Sequence, residues 1–292
     1  MPDLSNILLV VNPISGDIDK RDLIRQVEEF AKHRRLHLEV YKTTGEDDES
    51  HLTQLINSFA PHRVLIAGGD GSIKLMAEVM RHKVIPMGIL PTGSSNGLAR
   101  NLSLPKEIDA ALEVAMGHQL QDVDAICVND QMCLHISDLG LNAELIEHYE
   151  KGNIRGKLGY VIQSIPTLIE SDMPFTFEVT IDGQTIHYQG VQLAIANARQ
   201  YGTGAVINPH GLMDDGKFEI LIFKKFDLIR FLRTLREELE MDPEFVESFS
   251  VTQATIHCQR PVPFQIDGEY YEEVQDLTVS IQPKLLKIAV GR

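Results

Sequence analysis

Gly68-Gly69-Asp70-Gly71-Ser72 stands between an apolar run, Val64-Leu65-Ile66-Ala67, and a segment in which Ile73, Met76, Ala77 and Met80 recur at helical spacing. Strand, glycine turn and helix start, in that order, make an anion site. N–H groups converge at the turn, the helix dipole adds partial positive charge, and glycine lets the main chain approach a phosphate that a Cβ would hold away. Asp70 is then a carboxylate where phosphates would sit. A metal ion accompanying the phosphates, reached directly or through water, reconciles the two. The bland alternative is a helix N-terminus with an acid in its first turn. Two further polar turns follow apolar runs: Asn12-Pro13-Ile14-Ser15-Gly16 after residues 7–11, and Pro91-Thr92-Gly93-Ser94-Ser95-Asn96-Gly97-Leu98-Ala99-Arg100 after residues 84–90. In a parallel sheet all three turns lie on one edge, where their N–H groups and hydroxyls suit a triphosphate and its sugar. The Walker pattern is absent, and Lys74 falls where the third glycine of G-x-G-x-x-G would be. Gly93–Gly97 also fits the G-x-S-x-G nucleophile elbow, with His257 late in the chain. However, Pro91-Thr92 separates strand from turn, and no second oxyanion loop is evident.

The second half carries two acidic turns. Met213-Asp214-Asp215-Gly216-Lys217 lies between apolar runs. Exposed carbonyls with one aimed carboxylate suit Mg²⁺, although Asp-Gly is also an ordinary turn pair. Ile266-Asp267-Gly268-Glu269 puts Glu269 just past a strand and a glycine turn. A carboxylate there can accept a proton from a hydroxyl substrate, as phosphoryl transfer requires. Glu272 and Glu273 show that solvated acids are common in the same stretch. The histidines form no metal motif: Cys133 and His135 share a strand face, but no second ligand pair supports them.

These residues need elements to position them. Up to about residue 120, strand and helix patterns alternate. Residues 7–11, 36–40 (Leu36, Leu38, Val40), 64–67 and 84–90 read as strands, the last with a proline that implies an edge or a terminus. Leu23, Val27, Phe30 and Ala31, then Leu52, Leu55, Ile56 and Phe59, then Ile108, Ala111, Leu112, Ala115 and Met116 keep helical spacing, the second helix capped by Asp48 or Ser50. This order predicts an α/β three-layer domain with a mostly parallel sheet. From about Asp122 the pattern becomes alternating strands around Asn129-Asp130 and Asp182-Gly183 turns. Helices at roughly 157–169 and 227–240 interrupt them. The expectation is an antiparallel β-sandwich-like domain of two packed sheets, with domains at 1–122 and 123–292 and the final segment, 286–292, free to pack back on the first.

The chain has 292 residues, 43% hydrophobic and 24% charged, which predicts a globular protein. Its formal net charge of −15 argues against nucleic acid as a partner and against strong electrostatic attachment to anionic lipid. Three cysteines without CxxC spacing give neither a disulfide framework nor a zinc cluster, and the cytosol is the natural compartment. No signal-peptide pattern and no apolar stretch long enough to span a bilayer is expected.

Together the segments resemble the bacterial diacylglycerol kinase-like lipid kinases, relatives of the diacylglycerol, sphingosine and ceramide kinases. Asn12-Pro13-Ile14-Ser15-Gly16 is similar to the family's NPxSG, Gly68–Ser72 to its GGDG[TS], and Gly93–Arg100 to its G[ST]xNxxAR. Ala196-Asn197-Ala198, Tyr201-Gly202-Thr203-Gly204, Pro209 and Met213–Gly216 resemble its ANG…YGGG…P…LDDG, and Asp267-Gly268-Glu269 its late DGE. The resemblance implies a nucleotide domain over a β-rich lipid domain, ATP and Mg²⁺, and transfer of a phosphoryl group to a lipid hydroxyl. It assigns nucleotide contacts to Asn12, Pro13, Ile14, Ser15, Gly16, Thr43, Gly68, Gly69, Asp70, Gly71, Ser72, Ile73, Lys74 and Ser94, with Thr44 an alternative to Thr43. It assigns a structural Mg²⁺ to Asp215 with the carbonyls of Leu212 and Lys217, the general base to Glu269, and a metal–water role to Asp70. Lys74 stands where relatives usually carry Asn, and Ala198 where Gly is common. The implied partners are ATP and a lipid, met by transient contact at the inner membrane surface through Lys151, Arg155 and Lys157, with room for a homodimer. Competing readings are a non-catalytic nucleotide- or lipid-binding protein and an NAD kinase-like enzyme, whose signature lacks the NPxSG and DGE segments. The lipid itself is not legible.

Overall fold

The computed structural model describes residues 5–16, 19–144, 146, 173–201, 204–225 and 241–291. The helices expected at 157–169 and 227–240, and the cluster Lys151, Arg155 and Lys157, lie outside the described residues. The chain divides into two compact units, Met1–Val123 with Lys284–Arg292, and Asp124–Pro283.

The first unit alternates β1 (Asn6–Val11), α1 (Lys20–His33), β2 (His37–Lys42), α2 (Asp48–Phe59), β3 (Arg63–Gly68), α3 (Asp70–Met80) and β4 (Met87–Pro91), followed by α4 (Gly97–Asn101) and α5 (Ile108–Ala115). The sheet is parallel: Leu9 pairs with Val40 of β2 and Leu65 of β3, Ile66 with Ile89 of β4, and Met87 with Ile288. β3 and β4 are buried throughout, as are all residues of β1 after Asn6, which is why they read as continuous apolar runs rather than as alternation. Ile7, Leu9, Val11, Leu65, Ala67 and Leu90 pack against Leu23 and Val27 of α1 and Ala111, Leu112 and Ala115 of α5. The intervening residues Leu8, Val10, Val64 and Ile66 point the other way and are equally buried. α3 lies against β3, and α2 against α3.

Two local expectations change. β4 begins at Met87, not at residue 84, and Val84 is 81% exposed. β4 is also interior, with β3 on one side and Ile288 on the other. Its prolines mark termini: Pro86 precedes the strand and accepts from the Val64 N–H at 3.1 Å, and Pro91 closes it. Asp48 opens α2 rather than capping it; Asp47 takes the cap position.

The second unit is antiparallel. Its strands are β5 (Leu120–Val128), β6 (Gln131–Cys133), β7 (Ile136–Gly140), β8 (Phe175–Ile181), β9 (Gln184–Gly190), β10 (Gln192–Ala196), β11 (Phe218–Phe223), β12 (Val246–Val251), β13 (Gln253–Ile266) and β14 (Glu269–Ala289), of which β5 starts and β14 ends in the first unit. Strand order runs β12-β11-β10-β7-β13, with β8 beside β13, β9 beside β8 and β6 beside β5. The described strands form one hydrogen-bonded network rather than two separate sheets, because β13 serves both layers. It pairs with β8 along Thr255–Cys258 and with β7 along Phe264–Ile266, with register shifts between. Phe177, Phe218 and Phe264 fill the core these strands enclose. Asn129-Asp130, Asp182-Gly183 and Asp267-Gly268 each carry two successive positive φ values (46° and 67°, 50° and 77°, 55° and 90°), the geometry a two-residue hairpin turn demands.

Candidate active site

In the first unit the three sequence-marked loops meet at the carboxyl ends of β1, β3 and β4. Asn12 N–H donates to the Ala67 carbonyl at 3.0 Å, and Thr92 N–H to that of Gly68 at 3.1 Å. Contact is closest at the glycines. A Cβ on Gly93 would lie 2.4 Å from Gly69 Cα. One on Gly16, whose φ is +57°, would lie 2.3 Å from the Thr92 carbonyl oxygen. Main chain therefore lies against main chain here, and any side chain would push the loops apart.

Lys20, in the first turn of α1, ties two of these loops. Its Nζ donates to the carbonyls of Ser15 at 2.6 Å and Thr92 at 3.2 Å, and the residue is only 8% exposed. This cation between two of the glycine-turn loops was missed from sequence. Its signal was a lysine on the apolar face that Leu23 and Val27 continue.

Asp70, read from the sequence as a carboxylate near a metal, has main-chain partners in the structure. Its Oδ2 accepts from Gly97 N–H at 2.8 Å and its Oδ1 from Leu98 N–H at 3.0 Å, so it caps α4 from the first residue of α3. Asn96, the residue before α4, bonds Gly93 through both ends of its amide instead of capping the helix. Ser72 and Ile73 give their N–H groups to the Gly69 carbonyl, and the Ile73 side chain is buried in the core. Lys74 is half-buried, while Pro13, Ile14, Gly71 and Ser94 are exposed. Thr43 sits beside Asn12, its N–H donating to the Val11 carbonyl at 2.9 Å. Thr44, the alternative, is spent on Asp48, which accepts its N–H and hydroxyl, the Gly45 N–H and the Tyr41 hydroxyl. Burial alone would raise the Asp48 carboxyl, but these donors outweigh it and hold the group below its ordinary value. Ser72 Oγ and Thr92 Oγ1 are buried without a hydrogen-bond partner among the described residues.

In the second unit Asp215 is exposed, with Oδ1 accepting Lys217 N–H at 3.0 Å, and Leu212 beside it is 56% exposed. Among the described residues no group of three or more His, Cys, Asp or Glu side chains could hold a metal. A cation here would rest on one carboxylate and main-chain carbonyls. Beneath the turn lies Asp124, fully buried, which accepts Gly216 N–H at 2.7 Å and donates its own N–H to the Met213 carbonyl at 2.7 Å. Asn197 Nδ2 bridges the carbonyls of Asp124 and Leu134. Asp267 then accepts the N–H groups of Leu134 at 3.0 Å and His135 at 2.8 Å. A buried polar chain thus joins the Asp215 turn to the turn that carries Glu269, which is itself exposed at the start of β14. Next to this chain Asp138, on β7, is pushed up to about 6 by burial, against hydrogen bonds from Tyr201, Asn142 and Gln265 that pull it down. Burial and the Asp138 carboxylate drive the Tyr201 hydroxyl well above its ordinary value. Asp124, Asp138 and Gln265 were also missed. Their signal was a polar residue at an inward position of an apolar strand.

The diacylglycerol kinase catalytic domain model matches residues 6–128, and the YegS C-terminal NAD kinase beta sandwich-like domain model matches residues 136–290. Among curated proteins, "Probable lipid kinase YegS" of Escherichia fergusonii is 26% identical over 293 residues, covering 98% of this chain and 96% of that one. Its Salmonella typhimurium counterpart is 25% identical over 286 residues, covering 96% and 94%. The crystal structure of a diacylglycerol kinase from Bacillus anthracis superposes with a TM-score of 0.76 at 19% identity, covering 98% of this chain and 97% of that one. By the two domain models, matched in order along nearly the whole chain, this protein belongs to the diacylglycerol kinase-like family of lipid kinases.

Proposed function

We propose that the protein transfers the γ-phosphoryl group of ATP to the hydroxyl of a diacylglycerol-like lipid, with Mg²⁺. The observation that carries this reading is the meeting of the Asn12–Gly16, Gly68–Lys74 and Pro91–Ser94 loops, glycine against glycine, with the Lys20 ammonium between two of them. The loops suit an anion: only glycine lets them approach this closely, since a Cβ on Gly16 or Gly93 would push them apart, and the hydroxyls of Ser72 and Thr92 are buried with no hydrogen-bond partner among the described residues. Asn12, Ser15, Thr43 and Ser94 supply polar groups around it. The nucleotide role falls to the first unit and the lipid role to the second.

Glu269 takes the proton of the lipid hydroxyl as that oxygen bonds to phosphorus and the bond to the departing ADP breaks. The loop N–H groups hold the phosphate charge, and Asp70 keeps the Gly93–Arg100 loop in shape through α4. Asp215 with the carbonyls of Leu212 and Lys217 would hold a Mg²⁺ that rigidifies its turn. The lipid substrate implies transient contact with a membrane surface. No helix among the described residues is long and apolar enough to cross one.

The test is phosphorylation of a lipid panel in mixed micelles by the purified protein with ATP and Mg²⁺, with NAD as an added acceptor. A phosphorylated lipid supports the reading; phosphorylation of NAD alone, or of nothing, overturns it. Glu269→Gln should lower turnover by about 10²-fold or more while ATP affinity stays within about twofold. Near-full activity would remove the base assignment.

A further inference from the structure

Asp138 sits in mid-strand on β7, between Ala194 of β10 and Gln265 of β13, with no solvent exposure. A carboxylate there replaces an apolar side chain at the centre of a sheet, and burying one is expensive unless donors compensate. Three donors converge on a single oxygen. Oδ2 accepts from the Tyr201 hydroxyl at 2.6 Å, from Asn142 Nδ2 at 2.7 Å and from Gln265 Nε2 at 2.7 Å, while Oδ1 is buried with no hydrogen-bond partner among the described residues. The convergence orients Gln265. An amide can flip, but with its Nε2 committed to Asp138 its Oε1 must face the other way, and there it accepts Gly268 N–H at 2.7 Å. Gly268 is the second residue of the hairpin turn that Glu269 leaves. Tyr201, held in turn by Gln192 Nε2 at 2.9 Å, brings the segment after β10 onto the same oxygen.

We infer that Asp138 is a positioning residue: by fixing the amide of Gln265 it fixes the Asp267-Gly268 turn and so the direction of Glu269, and through Tyr201 it locks the segment after β10 to that turn. The consequence for turnover rests on Glu269 being the proton acceptor; the hold on the turn does not.

Two variants test it, Asp138→Asn and the shape-conserving Gln265→Met, each first checked for cooperative unfolding. Amide exchange across residues 264–270, read by mass spectrometry on the full chain, should speed at least about fivefold in both. Turnover should fall at least about tenfold with the KM for ATP within about twofold. The double variant should lose no more than the worse single one, because both act along one path. Full additivity overturns the inference, as does unchanged exchange at the turn in a folded variant. If the wild-type chain phosphorylates no lipid, the proposed activity fails, while the exchange result still decides whether Asp138 holds the turn. Tyr201→Phe covers the case in which Asp138→Asn does not fold. Loss of one of three donors should speed exchange in the same residues by a smaller factor, and no change there counts against the inference.

Discussion

Asp70→Asn separates two roles for one carboxylate. In the structure both oxygens are acceptors, for Gly97 N–H at 2.8 Å and Leu98 N–H at 3.0 Å, and these residues open the five-residue helix α4. An amide keeps one acceptor and turns an NH₂ toward the other N–H. A charge-assisted hydrogen bond contributes about 1.5–3 kcal/mol, and loss of a helix cap about 1–2 kcal/mol, so the substitution should cost about 2 kcal/mol. For a unit the size of the first one, that corresponds to a fall in Tm of roughly 6–10 °C. Calorimetry without nucleotide or divalent cation is the assay. Amide exchange over residues 94–101 assigns the loss to the first unit, because two units need not unfold as one. If Tm and exchange are unchanged without ligands, and the variant differs only when ATP and Mg²⁺ are added, the cap is not what the carboxylate is for. Asp70 would then belong to the metal–water network its sequence position suggests.

Gly16→Ala combines a φ of +57° with a Cβ 2.3 Å from the Thr92 oxygen, so titration calorimetry should show ATP binding weakened by about tenfold or more. Lys20→Met removes the donor to Ser15 and Thr92, and should weaken ATP binding and lower Tm by several degrees at about 2 kcal/mol; retained affinity would show that the loops meet without it. Asp138 gives a pH prediction. Its carboxyl is raised from 3.8 to about 6 in the fold, so between those values the folded protein holds more protons than the unfolded chain. Stability must then fall as pH rises through that window, by at most on the order of 3 kcal/mol. Urea unfolding from pH 4.5 to 7.5 should show a shallower fall in Asp138→Asn than in the wild type, and parallel profiles would refute the shift.

What could be read from the sequence was what local chemistry dictates. The apolar runs that became β1 and β3, the glycine turns after them, and the Asn129-Asp130 and Asp182-Gly183 hairpins each carry their own instructions in adjacent residues. So the expected class, a parallel α/β domain followed by antiparallel sandwich-like strands, is the one the chain has. What could not be read was set by partners remote in sequence. Asp70 finds its donors 27 and 28 residues away, Lys20 reaches a carbonyl 72 residues on, and Gln265 meets Asp138 across 127. No local pattern distinguishes an acid that faces a ligand from one that holds a loop. The proline at residue 86 misled for a related reason: whether it lies inside a strand or just before it depends on where neighbouring strands stop.

The sheet of the first unit is completed by a segment made after the whole second unit. Met87 pairs with Ile288, Val290 N–H donates to the Gln119 carbonyl, and Lys287 reaches Asp122 at 3.3 Å. While the ribosome is still threading out the second unit, one flank of β4 has nothing to bond. An open strand flank of apolar sequence is a template for other nascent chains. Ribosome-bound intermediates of this protein should therefore depend on chaperones until the segment around Ile288 has emerged.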